Sequence, residues 1–258
     1  MISQGDIIAA LATAGVQPGR TVFCHANIAF FGRVEGAATM DDLIGIMLDA
    51  FAEALGPDGT LLLPVFTYSF GSDKAEKVFD VQRSLSTTSG MGNWLVTSDT
   101  GVRSADPMLS VVATGGKAEA LTDAVDTVCF GPDSIWARLH EEDALICNLN
   151  LDSGSTYLHW VEREIGVPYR SDIPMSGTIV DQGISRQADI VYSGRALDDP
   201  QAVPRFEDYH AACLAHGIST SVPLGRGQIV AQPARAAKEF LIEQLSQTPY
   251  LLTARNAT

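Results

Sequence analysis

The apolar positions of the chain alternate between two spacings, one typical of buried strands and one typical of amphipathic helices. Residues 21–25 (TVFCH) and 60–64 (TLLLP) are continuous apolar runs that predict buried strands. Between them, residues 43–55 carry apolar side chains at helical spacing, and Thr39 with Asp42 resembles a capping box. A strand, a helix and a second strand in this order predict parallel pairing through a crossover.

The same two spacings continue along the chain. Ser3 is placed to cap an opening helix, and residues 67–92 predict a long loop, which in a compact domain is usually functional. The other predicted elements are strands at 111–114, 144–151 and 227–230, helices at 117–125, 133–140, 155–166, 205–216 and 234–246, and an antiparallel ribbon at 174–194. We therefore predict one α/β domain over residues 1–258, with a small antiparallel excursion near residues 170–200.

Composition narrows the class of protein. The 258 residues are 46% hydrophobic and 19% charged, which excludes disorder and coiled coil, and no run approaches the roughly 20 apolar residues of a membrane span. Seventeen basic against 31 acidic residues give a net charge of −14, which disfavours nucleic-acid binding and weakly favours cationic small molecules. Four widely spaced cysteines and the absence of a signal-peptide pattern favour a cytoplasmic protein with reduced thiols.

Two histidines follow predicted strands, where open α/β sheets place their sites. His25 ends the first strand, and His159 lies on a helix that begins after the polar loop Asp152-Ser153-Gly154-Ser155-Thr156. Glu162 follows His159 by three residues and shares its helical face, so the pair is a candidate general base. The hydroxyls and backbone N–H groups at the helix start are candidate oxyanion donors. The other three histidines, at positions 140, 210 and 216, are expected to be solvated.

Several other chemistries lose support from the motifs. Cys24 and His25 are adjacent on a strand and point to opposite faces, which disfavours a Cys–His nucleophile. The chain contains neither H-E-x-x-H at His159 nor a Walker A loop nor G-x-G-x-x-G. A metal-assisted hydrolase that uses His25, His159 and nearby carboxylates stays open as an alternative.

Five segments, in order along nearly the whole chain, resemble the aminoglycoside 3-N-acetyltransferase family, which also includes sugar N-acyltransferases. The resemblance rests on all five segments together, because each motif alone would be weak evidence. The segments are HANI…GRVEG (25–36), PVFTYSF (64–70), VRSADPMLSV (102–111), FGPDS (130–134), and STYLHWVE followed by VPYR (155–170), which contains the family's T-x-x-H-x-x-E block.

The resemblance implies direct acyl transfer, expected to be acetyl transfer, from acyl-coenzyme A to a primary amine of an aminoglycoside or amino sugar. It also implies an α/β/α sandwich with a mixed central sheet, unrelated to the GNAT acetyltransferases, that needs no metal. The catalytic histidine maps onto His159, supported by Thr156 and Glu162. Coenzyme A binding maps onto His25, Ala26, Asn27, Thr67, Ser69, Arg103 and Ser104, and acceptor binding onto Tyr68, Asp106 and Asp152. The expected partners are the amine and coenzyme A, with a homodimer as the default assembly.

Two positions depart from the family pattern. Ala26 stands where a second serine is usual, and Asp106 stands where histidine precedes proline. These changes keep open a non-catalytic member that binds coenzyme A or sugar without turnover. The acceptor also stays open, because the VPYR tail favours a nucleotide-linked amino sugar and the negative charge mildly favours polycationic antibiotics.

Overall fold

A seven-stranded sheet lies between two layers of helices in the computed structural model, which describes residues 1–71, 73–123, 127–196 and 198–257. The strands are β1 (Thr21–Ala26), β2 (Thr60–Pro64), β3 (Val78–Asp80), β4 (Val102–Arg103), β5 (Val111–Gly115), β6 (Leu145–Leu149), β7 (Arg170–Asp181), β8 (Ile184–Arg195), β9 (Thr220–Leu224) and β10 (Gly227–Pro233). The helices are α1 (Gln4–Thr13), α2 (Met40–Leu55), α3 (Gly90–Thr97), α4 (Ala118–Thr122), α5 (Ile135–Glu141), α6 (Tyr157–Ile165), α7 (Glu207–Ala215) and α8 (Ala234–Gln247). Within the described ranges, no helix combines the length and apolar character needed to cross a bilayer.

The large sheet has a parallel centre and antiparallel edges. Its order is β4-β5-β2-β1-β6-β10-β9; β1 pairs in parallel with β2 and β6, and the remaining pairs are antiparallel. The predicted parallel crossover between β1 and β2 and the expected mixed sheet are both confirmed. The carboxyl ends of β1 and β6 therefore lie side by side, which brings His25 next to the loop that enters α6.

Alternate strand residues build two separate cores. Val22 and Cys24 face the layer of α1, α2 and α3, whereas Phe23 faces the layer of α4, α5, α6 and α8. Both cores are built mainly from apolar side chains, because the central strands are largely apolar on both faces, as parallel sheets covered on both sides require. This arrangement confirms the expected α/β/α sandwich.

Local sequence explains how the first layer begins. The Ser3 hydroxyl accepts the N–H of Asp6, and the Asp6 carboxylate accepts the N–H of Ser3. Thr39 and Asp42 make the same reciprocal pair at the start of α2. Both predicted caps are confirmed, with aspartate taking the position where glutamate is more usual.

The predicted ribbon is confirmed and is longer than its pattern indicated. β7 and β8 pair antiparallel over residues 170–195, and Gln182 and Gly183 form the turn with φ values of 48° and 77°. Positive φ at both central residues is typical of the tight hairpin turn whose twist matches that of the strands. β3 adds in parallel to β7, so the excursion is a three-stranded sheet.

Three element predictions were wrong in part. The predicted loop at 67–92 contains β3 and the start of α3, because three residues are too few to show a strand period. β9 was missed because Pro223 and three hydroxyl residues resemble a turn; an edge strand tolerates such a proline. The helix predicted at 117–125 is α4, Ala118–Thr122, and residues 124 and 125 lie outside the described residues.

Replacing Thr39 with alanine tests the α2 cap. We expect Thr39→Ala to lower the free energy of unfolding by about 1 kcal/mol, because the N–H of Asp42 loses its acceptor. Urea denaturation measures this change. Thr13→Ala is the matched control, since the Thr13 hydroxyl donates to the carbonyl of Ala9 in its own helix and caps no N–H group. Equal stability of Thr39→Ala and the wild type would contradict the capping role.

Candidate active site

Glu162 is the buried junction of the site. Its side chain is 1% exposed and accepts hydrogen bonds of 2.6 Å each from His159 Nδ1, Tyr169 Oη and Arg170 Nε. His159 and Glu162 lie one turn apart on α6, whereas Tyr169 and Arg170 come from the chain that enters β7. Charge-assisted bonds of this length are strong and directional. The predicted contact between His159 and Glu162 is therefore present, and two further donors fix it in place.

The hydrogen bond to Glu162 selects one tautomer of His159. A carboxylate only accepts, so Nδ1 carries the proton and Nε2 keeps its lone pair. Nε2 makes no hydrogen bond to any described residue. The side chain is 18% exposed, and its ring lies 6.2 Å from the rings of both Phe130 and Phe206. The imidazole is thus held in an aromatic frame with its basic nitrogen available.

The electrostatics keep His159 neutral and Glu162 charged. Burial lowers the pKa of His159, the Arg170 charge lowers it further, and the Glu162 carboxylate opposes both. Burial raises the pKa of Glu162, but the combined effect of His159, Arg170 and Tyr169 holds that pKa below its usual range. A neutral imidazole beside a fixed carboxylate suits a general base at neutral pH.

His25 anchors the start of α6 to the end of β1. Its Nε2 accepts the backbone N–H of Thr156 at 3.3 Å, so the ring proton resides on Nδ1. Burial and the nearby His159 lower the pKa of His25 to about 4, which keeps this acceptor neutral. The ring packs edge-on against Phe23 and Phe66, at 4.9 and 6.1 Å.

The first N–H groups of α6 are occupied by the protein itself. The N–H of Thr156 donates to His25, and the N–H groups of residues 157, 158 and 159 donate to Ser155 Oγ, Ser155 O and Thr156 O. The expectation that this helix start supplies backbone oxyanion donors is wrong, because the loop before it folds back as a tight turn. The Thr156 side chain makes no capping hydrogen bond, so its hydroxyl remains available.

The loop before α6 is braced by side chains beneath it. Asn148 donates to the carbonyls of Asp152, at 2.5 Å, and Gly154, at 2.8 Å, and Asp152 Oδ1 accepts the N–H of Gly154. Ser153 Oγ lies 2.9 Å from His210 Nδ1 and 2.9 Å from Ser219 Oγ. His210 was expected to be solvated but is half-buried in this cluster. The prediction was wrong because its partner lies 57 residues away in sequence.

His140 also differs from expectation, whereas His216 is exposed as predicted. His140 Nδ1 lies 3.0 Å from Tyr157 Oη, and the ring packs on Trp160 at 5.3 Å. No local pattern indicated this contact, since His140 lies on α5 whereas Tyr157 and Trp160 lie on α6.

Of Ala26 and Asn27, both expected to bind coenzyme A, only Asn27 lines an open cavity among the described residues. The cavity has a volume of about 850 Å³, and its other lining residues are Phe30, Asn150, Ser221, Pro223, Arg226, Gly227 and Gln228. Ala26 packs towards the core of the α2 layer. The cavity opens at the carboxyl ends of β1 and β6, which is the sheet edge that the sequence predicted.

Thr67 and Ser69 hold their own loop. Ser69 Oγ donates to Thr67 Oγ1 at 2.9 Å, and Thr67 Oγ1 donates to the carbonyl of Pro107 at 3.0 Å. Both hydroxyl protons therefore have acceptors inside the protein. These two residues shape the loop that carries Tyr68.

Arg103 and Ser104 are structural cross-links in this structure. The Arg103 guanidinium donates five hydrogen bonds and lies over the Phe79 ring, 4.9 Å from its centroid; the acceptors are the carbonyls of Val65, Val81 and Ser84 and, twice, the hydroxyl of Ser110. Burial lowers the Arg103 pKa to about 10. Ser104 is buried, and its hydroxyl accepts the N–H of Val111.

Two of the residues expected to bind the acceptor also serve local turns. Asp106 Oδ1 accepts the N–H groups of Met108 and Leu109, at 2.8 and 2.9 Å, and burial raises the pKa of this carboxyl. Asp152 caps its loop as described above. Tyr68 is different: it is 44% exposed, has a φ of 48°, and its ring lies 6.4 Å from that of Tyr192.

Sequence reasoning missed much of the wall around His159. Tyr192 bridges Tyr68 to Phe130, with ring distances of 6.4 and 6.3 Å, and Phe130 contacts His159. Tyr192 comes from β8, in the excursion that the sequence placed only as a ribbon. The alternation of side chains along β8 predicted which residues share a face with Tyr192. No pattern indicated that this face of the ribbon lies against α6.

No group of three or more His, Cys, Asp or Glu residues within the described ranges is arranged to hold a metal ion. His25 Nε2 and His159 Nδ1 are already engaged in hydrogen bonds.

The chain resembles known proteins along most of its length. A family model described as Aminoglycoside 3-N-acetyltransferase matches residues 23–246. The curated relative Aminoglycoside N(3)-acetyltransferase IV from Salmonella sp is 29% identical over 187 residues, which cover 70% of this chain and 65% of that one. The match thus spans slightly less than two thirds of that relative's length. Aminoglycoside N(3)-acetyltransferase III from Pseudomonas aeruginosa is 24% identical over 262 residues, covering 94% and 93% of the two chains.

Solved structures share the fold. The crystal structure of aminoglycoside acetyltransferase AAC(3)-Xa superposes with a TM-score of 0.80 at 25% identity, covering 95% of this chain and 93% of that one. The structure titled AAC-IIIb binary with CoASH superposes with a TM-score of 0.77 at 24% identity, covering 95% and 97%.

Replacing Glu162 tests the buried junction. We expect Glu162→Gln to lower the free energy of unfolding by about 3–5 kcal/mol, because the Arg170 guanidinium, which is only 6% exposed, is left without its counter-charge. Urea unfolding measures the loss. The neighbouring pair Arg163–Asp172 is the matched control, since it is solvent-exposed and Asp172→Asn should cost less than about 1 kcal/mol. Similar losses in both variants would contradict the special role of Glu162.

An NMR titration of the histidine rings tests the electrostatics. We expect His159 to titrate below the ordinary value of about 6.5, and His25 at about 4, because burial disfavours both imidazolium forms. His159→Ala and His25→Gln identify the two signals. A His159 midpoint above 6.5 would show that the Glu162 charge outweighs burial and would contradict the neutral base.

Proposed function

Because the chain belongs to the aminoglycoside 3-N-acetyltransferase family, we propose that it transfers an acyl group, expected to be acetyl, from acyl-coenzyme A to a primary amine of an aminoglycoside or amino sugar. His159 acts as the general base. The observation that carries this proposal is the 2.6 Å bond from His159 Nδ1 to the buried Glu162, which leaves a neutral Nε2 as a proton acceptor. The match of the family model across residues 23–246 supports the reaction class.

In the proposed reaction, the amine gives a proton to Nε2 of His159 as its nitrogen attacks the thioester carbonyl carbon. The new C–N bond forms, the C–S bond breaks, and the proton passes to the departing thiolate sulfur. Glu162 stays ionised and stabilises the imidazolium that forms, while Arg170 and Tyr169 prevent the carboxylate from turning away.

The developing oxyanion requires a donor fixed near the carbonyl. Thr156 supplies it through its hydroxyl, which makes no capping bond and lies one turn before His159. The backbone N–H of Thr156 is held by His25, so the role of His25 is to position this residue.

The cavity beside Asn27 is the proposed entry for coenzyme A. It lies at the carboxyl ends of the two strands that carry His25 and lead to α6. Arg226 provides a cation at this cavity that suits a phosphate group. The internal bonds of Arg103 and Ser104 give those residues a supporting role in the loop rather than direct contact with the cofactor.

The proposed location is the cytoplasm. All four cysteines, at positions 24, 129, 147 and 213, are buried and lie outside any disulfide in the described part of the chain, as expected in a reducing compartment.

The central test is His159→Ala. We expect acyl transfer to fall by at least roughly a hundredfold, the lower range for loss of a general base, while the fold and coenzyme A binding are retained. Thiol release from acetyl-coenzyme A in the presence of an amine measures the rate, and circular dichroism checks the fold. His216→Ala, at an exposed histidine outside the site, is the matched control and should keep full activity. A folded His159→Ala protein with wild-type rates would refute the assigned base.

A further inference from the structure

Two arginines lie directly opposite each other at the base of the ribbon. Arg170 begins β7 and Arg195 ends β8, and the two are paired in the register of the strands. Directly opposed residues project from the same face of a sheet with their Cβ atoms about 5 Å apart, and like charges in this arrangement repel. Each guanidinium therefore needs a counter-charge.

Arg170 has one, whereas no described residue provides one for Arg195. Arg170 pairs with Glu162 and also donates to the carbonyl of Ser193. Arg195 is half-buried, and in the part of the chain that the structure describes its side chain makes neither an ion pair nor a hydrogen bond. A partly buried cation without a partner is unfavourable, so its presence at a site calls for an external anion.

Arg195 belongs to the site of His159. Its neighbour in the register, Arg170, shares Oε2 of Glu162 with the imidazole, at 2.6 Å each. The charge of Arg195 also acts on three side chains of this site: it adds to burial in lowering the pKa of His159, and it partly offsets the burial that raises the pKa of Tyr68 and of Tyr192. Arg195 thus lies on the side of the site where the amine of the acceptor would meet His159.

The acidic residues that would hold a polycationic acceptor are already engaged. Glu162 accepts from three donors, Asp106 Oδ1 caps a turn, and Asp152 Oδ1 caps the loop before α6. Of the charged groups that act on His159, two are Arg170 and Arg195 and one is Glu162, in contrast to the net charge of −14 for the whole chain.

We propose that the preferred acceptor carries an anionic group, a phosphate or a carboxylate, beside its primary amine, and that Arg195 pairs with this group while the amine meets His159. The inference rests on the proposed function and specifies its substrate class. A guanidinium offers parallel donors that match the two oxygens of a phosphate or carboxylate. An amino sugar bearing a phosphate, or an amino uronic acid, has both groups on one small molecule.

The experiment compares four amines with acetyl-coenzyme A: glucosamine 1-phosphate, the methyl glycoside of glucosamine, the corresponding amino uronic acid and sisomicin. We expect the kcat/KM of the wild type to be about 10- to 100-fold higher for an anionic amine than for the methyl glycoside, which has no anionic group. This is the range that one charge-assisted hydrogen-bonded pair supplies. Arg195→Gln should remove this preference through KM with little change in kcat, and Arg195→Lys should restore part of it. Comparing the phosphate with the carboxylate identifies the anion.

Arg186→Gln is the matched control, because Arg186 lies on the same strand but is exposed at the far end of the ribbon. It should leave every rate unchanged. The inference would be overturned if the wild type prefers sisomicin or the methyl glycoside and Arg195→Gln has the same preference. Acyl transfer itself would remain supported by that result.

Calorimetric titration of the same amines into the coenzyme A complex separates the two proposals. Absence of thiol release with every amine would reject acyl transfer. Weaker binding of the anionic amines to Arg195→Gln than to the wild type would still support the inference, and equal binding would overturn it.

Discussion

One buried carboxylate ties the chemistry of this protein to its architecture. Glu162 accepts bonds from a side chain of its own helix, from the turn that follows, and from the first residue of the ribbon. A buried charge is tolerated only when its partners are complete, so none of these elements can shift without exposing an unpaired ion. The orientation of His159 is therefore set by the same contacts that dock the ribbon on α6.

Much of the fold could be predicted from residue patterns alone. The apolar runs of β1, β2 and β6 are easy to identify because strands covered on both faces are apolar at most positions. The spacing of His159 and Glu162 likewise predicted a contact, since residues three apart on a helix are neighbours. Short or edge elements such as β3 and β9 escaped, because they contain too few buried positions to show a period.

The rest of the site depends on contacts that no local pattern contains. Arg103 looked like a ligand-binding residue, yet its guanidinium joins carbonyls from two separate segments and the hydroxyl of Ser110 in a third. The N–H groups at the start of α6 looked free, but His25, 131 residues earlier, accepts one of them. Such pairings are decided by which strands are neighbours in the sheet. The sequence indicates polar residues at the sheet edge, and the tertiary structure decides which of them remain available.

The tight turn at Gln182 and Gly183 has a consequence for how this protein can diversify. It sets the register of every pair along the ribbon, including the opposition of Arg170 and Arg195 at the far end. A one-residue slip reverses the facing of all side chains on a strand. An insertion or deletion in this exposed hairpin would therefore replace Arg195 with a neighbour of different chemistry while α6 stayed as it is. On the proposed roles of Arg195 and His159, acceptor choice can evolve through the length of this hairpin, independently of the proposed general base.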